Sequence, residues 1–215
     1  MNLPLWLRRG AAGQGLLAAL ALLAVIAFSP ARNFLEASMV RHMLLQYPLL
    51  LLCGALLAGG LSATPVAGAP AGQWQHSSWN AHGITGLFGT ALALAVLMIP
   101  RVLDLALLYP WIAFAKMAAL VACGAAIYRS WRPAGWLVQG FFLSQILPMM
   151  AVVGGLYETA PTRVCNAYLL GDQVLLGQSL VWISAAIALV WGAVLIRCLI
   201  EKSAAHADQD SIIRP

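Results

Sequence analysis

Three side chains near the start of an apolar segment could together bind a soft metal ion. They are Met39, His42 and Met43. With Gln46 they follow a spacing of i, i+3, i+4 and i+7, which places all four on one face of a helix. An imidazole and two thioethers are soft donors of the kind that copper prefers, Cu(I) above all. The stripe also fits ordinary packing, because methionine adapts to many cores and a single histidine is often only hydrogen bonded. Spacing alone leaves both interpretations open.

The composition places these residues in a membrane protein. Of the 215 residues, 62% are hydrophobic and 9% are charged, and the mean hydropathy is +0.85. Apolar runs long enough to cross a bilayer recur along the chain, and a lipid environment requires helices there because it offers no partner to a free backbone group. The sequence therefore predicts an all-α, polytopic transmembrane helical bundle. The net charge of +5 bears on topology, and no nucleic-acid-binding motif is present.

About six spans are predicted within a single transmembrane domain over residues 1–200. Their approximate ranges are 16–28, 39–60, 82–99, 108–128, 135–156 and 172–197. The first could be a cleaved signal peptide or a retained helix, and the retained helix is preferred. Residues 61–81, with Trp74 and Trp79, are predicted to form an interfacial segment. Residues 201–215 are predicted to be a disordered, polar, cytoplasmic tail.

The arginines and lysines predict that both termini lie in the cytoplasm, because loops on that side of a bilayer are enriched in positive charge. The start of span two, the end of span five and the start of span six then meet at the outer face. His76 and His82 would lie at the opposite face, apart from His42. That separation argues against a site that uses all the histidines.

Two further sites combine a structural and a functional interpretation. Asp172, followed by Gln173, begins span six, where a carboxylate caps the helix and favours its dipole, or else pairs with Arg41 or His42. Lys116 lies inside span four, where an ammonium group needs a buried partner unless its side chain extends to the interface. The candidate partners are Asp104, Glu158 and Asp172. Of the four cysteines, only Cys165, in a loop, is a candidate reactive thiol.

Two short motifs resemble a known family. Ser38-Met39-Val40-Arg41-His42-Met43-Leu44-Leu45 resembles the His-Met-x-x-His-Met-Leu-Leu signature of CtaG-type multi-span assembly factors of bacterial cytochrome c oxidases. Asp172-Gln173-x-x-x-Gly177 resembles the Asp-Gln motif that opens a late helix in that family. The first histidine of the signature is Ser38 here, and span four carries Lys116 and no histidine. The resemblance implies a role in maturing a heme-copper oxidase, with copper delivery included.

The sequence-based hypothesis is a non-enzymatic, multi-pass protein of the bacterial inner membrane that helps to assemble a heme-copper respiratory oxidase. Copper would bind Met39, His42 and Met43 at the outer face, and Asp172 would orient or charge-balance that site. The expected partners are the lipid bilayer and an oxidase subunit or copper chaperone. The alternative is a small transporter or permease, because prolines interrupt spans two and five and polar groups lie inside the spans.

Overall fold

The computed structural model describes residues 5–63 and 80–213, and the side chains of residues 13–28, 30–63, 80–201 and 203. The helices in chain order are α1 (Leu5–Ala27), α2 (Ser29–Glu36), α3 (Met39–Arg41), a π-helical turn (His42–Gln46), α4 (Tyr47–Ala63), α5 (Ile84–Leu97), α6 (Pro100–Leu108), α7 (Pro110–Thr159) and α8 (Leu170–Ile213). The described residues contain no strand, so the predicted all-α class is confirmed. The predicted interfacial residues Trp74 and Trp79, and His76, lie outside the described residues.

Three helical stretches are each long and apolar enough to cross a bilayer. They are Met39–Leu61, Pro110–Thr159 and Leu170–Glu201. Two bent pairs, Gly13–Ala27 with Pro30–Glu36 and Ile84–Leu97 with Pro100–Leu108, bring the number of candidate spans to five if each pair is one span. The bends are 74° and 73°, and in each pair a proline occupies the first or second position of the second helix. Proline fits there because it has no N–H to donate to a preceding turn.

Helix α7 turns back on itself at Gly135. This glycine has φ 62° and ψ 175°, which a side chain would disfavour. A straight helix would separate Lys116 from Tyr157 by about 60 Å. Instead, Lys116 contacts His42, while the Tyr157 hydroxyl donates to the carbonyl of Met98, next to the Leu97 carbonyl that accepts from Tyr47. His42 and Tyr47 are themselves in ring contact, so both halves of α7 end at the same end of the bundle.

Pairs of glycines set the closest helix crossings. A side chain on Gly54 of α4 would collide with the backbone of Val121, and one on Gly124 of α7 with the backbone of Leu51. Gly154 of α7 and Gly177 of α8 approach each other's carbonyl oxygens in the same way. Small residues allow helices to pack this closely where lipid gives no hydrophobic drive for association. These crossings bring α4, α7 and α8 together around the candidate site.

Helix α8 runs through Ile213, past residue 201 where the polar tail is predicted to begin, and neither proline nor glycine interrupts residues 193–213. Two other predicted features of the chain are wrong in detail. The predicted loop around Asp104 is the short helix α6. The predicted kink at Pro48 is instead a widened π-helical turn ending at Gln46, and widening relieves the clash between a proline ring and the carbonyl four residues earlier.

Candidate functional site

A cluster of polar side chains is buried at the end of the bundle where α2 meets α3, and we call it the buried polar cluster. Its members are Glu36, His42, Gln46, Lys116 and Tyr168. His42 and Gln46 have no exposed surface, and Lys116 is 2% exposed. Glu36 ends α2, His42 and Gln46 span the π-helical turn, Lys116 lies in the first half of α7, and Tyr168 precedes α8. Separate segments of sequence therefore have to fold together before the cluster exists.

Lys116 uses all the hydrogen-bonding capacity of an ammonium group. Its Nζ lies 2.6 Å from His42 Nε2, 3.2 Å from Gln46 Oε1 and 3.4 Å from Glu36 Oε1. An ammonium has three donors and no acceptor, so each of these atoms accepts one hydrogen. The interpretation that the side chain extends to the interface is therefore wrong. The acidic partner is Glu36, which was not among the three carboxylates considered from the sequence.

The contacts of His42 define its tautomer. Because Lys116 can only donate, Nε2 of His42 accepts, and Nδ1 carries the hydrogen. Nδ1 lies 2.5 Å from the hydroxyl oxygen of Tyr168, to which it donates. The rings of Tyr47 and Tyr168 both meet the imidazole edge to face. Both ring nitrogens are therefore occupied by partners from the chain itself.

Glu36 is the acidic residue of the cluster, and it forms ion pairs with two basic side chains. Its carboxylate accepts from Arg32 Nε at 3.1 Å and from Gln46 Nε2 at 3.4 Å, in addition to Lys116. Arg32 is one helical turn earlier on α2 and is partly exposed, so it links the cluster to the surface. Among the side chains that the structure describes, the ion pairs are those of Glu36 with Arg32 and Lys116. A buried lysine and a buried carboxylate thus neutralise each other inside the bundle.

The predicted copper ligands divide between the cluster and the core. Met39 is fully buried and Met43 is 4% exposed, and both belong to the hydrophobic core. His42, between them in sequence, has both nitrogens hydrogen bonded. No group of three or more His, Cys, Asp or Glu side chains within residues 5–63 and 80–213 is placed to share a metal ion. A copper ion at this stripe would have to rely on the two thioethers and displace a partner of His42.

Gln173, rather than Asp172, fixes the start of α8. Gln173 is buried, accepts from the backbone N–H of Val164 at 2.8 Å and donates to the carbonyl of Tyr157 at 3.0 Å. Asp172 lies in the first turn of α8, where its charge favours the helix dipole. The predicted pairing of Asp172 with Arg41 or His42 is not found among the described side chains, and the Arg41 guanidinium instead lies 4.3 Å from the centre of the Phe34 ring.

The loop before α8 is tied to α6, and this holds Tyr168 over the cluster. The Asp104 carboxylate accepts from the backbone N–H groups of Asn166 and Ala167, at 3.1 and 3.3 Å. The Cys165 thiol donates to the carbonyl of Pro100 at 3.6 Å and is 1% exposed. Burial and the nearby Asp104 charge raise the pKa of Cys165 to about 12. The prediction of a reactive Cys165 is therefore wrong, because a buried protonated thiol is a poor nucleophile.

Burial also raises the pKa of the Tyr168 hydroxyl, and the negative charge of Glu36 acts in the same direction. Tyr168 therefore stays a neutral phenol.

Sequence reasoning missed Glu36, Gln46 and Tyr168 as partners of Lys116 and His42. The position of Glu36 could have indicated this pairing. Glu36 lies just before predicted span two, and predicted span four places Lys116 toward the same end of the bundle. His82 is exposed beside Gly83, whose nearest neighbour is Ser130, at the other end of the bundle.

Comparison of the chain with models of protein families, with curated proteins and with solved structures gives no match in any of the three.

Proposed function

We propose that the protein is a non-enzymatic accessory factor of the bacterial inner membrane that assists assembly of a heme-copper respiratory oxidase. The observation that carries the proposal is the meeting of the two motif segments in space. Helix α3, which begins at Met39, packs against α8, which holds Asp172 and Gln173. Tyr168, two residues before α8, bonds to His42 of the first motif. Motifs more than 120 residues apart thus form one site.

The accessory factor crosses the membrane six times, since the two halves of α7 each form a crossing. Its 50 residues would span about 75 Å as one helix, far more than a hydrocarbon layer of about 30 Å. The buried polar cluster then faces outward and both termini face the cytoplasm. Reporter fusions after Arg132 and at the C-terminus test this by reporting cytoplasm, while a fusion at Arg163 reports the outside. A cytoplasmic signal at Arg163 would contradict the topology.

The accessory factor handles copper at Met39, His42 and Met43, with Asp172 balancing the charge. Because Lys116 and Tyr168 occupy the nitrogens of His42, copper binding and the opening of the buried polar cluster are coupled. The loss of one strong ligand at Ser38 makes this site weak and exchangeable. Such a site suits delivery to an oxidase subunit or receipt from a copper chaperone.

The copper content of purified protein under reducing conditions tests this step. His42→Ala should abolish binding and Ser38→His should tighten it, while Met150→Leu, outside the stripe, should leave it unchanged. Oxidase activity is followed in cells that lack the native gene. If the wild type holds no copper and His42→Ala still restores the oxidase, copper handling at this stripe is wrong. The assembly role itself fails if deletion of the gene leaves oxidase activity and subunit levels unchanged.

A small transporter is the second candidate function, favoured by the polar chain from Arg32 through Glu36 to Lys116. Ionisable groups inside a bilayer commonly mark substrate or ion pathways. Reconstituted protein would then carry a solute or ion flux across vesicles, and Lys116→Met would remove it. An assembly factor shows no such flux, and its loss instead lowers the amount of mature oxidase in the membrane.

A further inference from the structure

An apolar groove lies between the second half of α7 and α8, far from the buried polar cluster, and we call it the tryptophan groove. It has a volume of about 510 Å³. Three indoles and several aliphatic side chains line it, among them Trp131, Trp136, Trp191, Leu143, Ile187 and Val190. The groove is open on the side away from the bundle, where Val190 is 67% exposed.

The position of the groove along α8 places its indoles near the bilayer surface opposite the buried polar cluster, which is the inner surface in the proposed topology. Leu170 begins α8 at the end that holds the buried polar cluster, and Trp191 lies 21 residues later. A helix rises about 32 Å over that length, close to the hydrocarbon thickness of about 30 Å. Tryptophan is enriched at this level, where its ring is partly apolar and its N–H meets the lipid carbonyls. Trp191 Nε1 is itself buried and has no hydrogen-bond partner in the described residues, so it is the exposed Trp136 ring that meets this level of the membrane.

Two arginines flank the groove on its membrane-surface side. Arg197 follows Val194 by three residues, so it lies one turn beyond the last lining residue on the same face of α8. Arg132 directly follows the lining residue Trp131, just before the turn at Gly135. Both arginines are exposed, and neither has an ion-pair partner among the described side chains. One uncompensated positive charge thus follows a lining residue directly in sequence, and a second lies one helical turn beyond the lining of the open apolar groove.

We propose that the tryptophan groove binds one anionic phospholipid of the inner leaflet. An acyl chain lies along Leu143, Ile187 and Val190, and the phosphate lies between Arg132 and Arg197. A long apolar groove with two arginines near one end matches the acyl chain and the charged headgroup of an anionic lipid. Basic pockets between helices on this side of a membrane bind such headgroups. The charge distinguishes this lipid from zwitterionic lipids, which fill the same groove without neutralising the arginines. The proposal is independent of the oxidase and copper proposals, but the assignment to the inner leaflet rests on the proposed topology.

Lipid retention by the full-length purified protein tests the proposal. The protein is titrated with dioleoyl phosphatidylglycerol or dioleoyl phosphatidylcholine, and bound lipid is counted by native mass spectrometry. The wild type should bind one phosphatidylglycerol more tightly than phosphatidylcholine. Removing Arg132 or Arg197 should each weaken phosphatidylglycerol binding about five-fold, and Arg132→Gln with Arg197→Gln about thirty-fold, with phosphatidylcholine binding unchanged.

Two matched controls separate the groove from general lipid contact. Arg101→Gln with Arg163→Gln removes the same charge from exposed arginines near the buried polar cluster and should leave retention unchanged. Ala186→Trp fills the groove and should weaken both lipids, whereas Ala185→Trp, on an exposed position outside the groove, should weaken neither. Equal retention of the two lipids by the wild type would overturn the proposal. So would unchanged phosphatidylglycerol binding in the Arg132 and Arg197 double variant, or in Ala186→Trp.

Discussion

The two ends of the bundle differ in whether charged side chains find partners within the protein. At one end, the buried polar cluster encloses a lysine and satisfies its three hydrogens with Glu36, His42 and Gln46. At this closed end, side chains of the protein itself supply the hydrogen-bond partners of the lysine. At the other end, the tryptophan groove lies open, and Arg132 and Arg197 lie exposed without ion pairs among the described side chains. The open end is where we propose that an anionic lipid binds.

The difference matters because an unpaired charge inside a low-dielectric region costs several kcal/mol, whereas an unpaired charge at the surface costs little. Substitutions in the buried polar cluster should therefore reduce stability, and matched substitutions at the open end should not. The contrast extends to packing. At the α4–α7 crossing, a methyl group added at Gly124 would collide with the backbone of Leu51, whereas one added at Gly192 of α8 would meet no atom within 4 Å.

The largest expected effect comes from Lys116→Met. Removing the ammonium leaves the Glu36 carboxylate without its buried cation, and breaking such a pair costs about 3–5 kcal/mol of unfolding free energy. Thermal and denaturant unfolding of the purified protein in detergent measures the loss. The double variant Lys116→Met with Glu36→Gln should recover part of it, because the remaining charge is gone. Arg101→Met, at an exposed position, serves as the control, and equal stability of Lys116→Met and wild type would contradict the pairing.

A smaller loss of stability is expected from a substitution at the crossing of α4 and α7. Gly124→Ala places a methyl group against the backbone of Leu51, so α4 and α7 must separate, at a cost of about 1–3 kcal/mol. Gly192→Ala meets no neighbour and should be neutral, or stabilising by up to about 1 kcal/mol through reduced backbone entropy in the unfolded chain. The midpoints of unfolding of the two variants are compared directly. Equal midpoints would remove the distinction between the packed and the open part of the bundle.

Tyr168→Phe should cost about 1–3 kcal/mol, because it leaves the His42 Nδ1–H buried without an acceptor. Tyr109→Phe changes the same group on a side chain that is 49% exposed and should change stability by much less. Denaturant unfolding of both variants in the same detergent supplies the comparison. A destabilisation as large for Tyr109→Phe as for Tyr168→Phe would show that the contact with His42 contributes nothing specific.

The smallest expected effect is on the chemistry of Cys165. With its pKa raised from 9.0 to about 12 by burial, its thiol stays protonated in the folded protein, so single-cysteine protein carrying only Cys165 should resist a water-soluble maleimide through about pH 10. A single-cysteine protein carrying the partly exposed Cys198 is the comparison, and should be labelled first.

The raised pKa of Cys165 also makes stability depend on pH. In the unfolded chain the Cys165 thiolate forms above pH 9.0. The stability that this group contributes is therefore complete below pH 9.0 and is lost as the pH rises toward about 12. Rapid labelling of folded Cys165 at about pH 8 would contradict its burial.

The sequence by itself determined the class of the protein and the neighbourhood of its site. Long apolar runs with few charges require helices in a bilayer, whatever their tertiary packing, and the structure has helices over most of the predicted spans. The spacing of Met39, His42 and Met43 correctly placed them on one helical stretch. The order of the helices was also enough to bring His42 and the start of α8 to the same end of the bundle.

Only the tertiary structure decided which side chains touch. Lys116 pairs with Glu36 because α2 bends 74° from α1, and because the glycine crossing draws the first half of α7 against α4. Neither the bend angle nor the rotation of α4 and α7 about their axes follows from hydropathy, which is nearly the same on every side of these two helices. The π-helical turn brings both His42 and Gln46 to Lys116, and hydropathy does not reveal this widening of the helix. Composition can therefore predict that a buried lysine needs a partner, but the choice of partner requires the positions of all the segments that meet at the cluster.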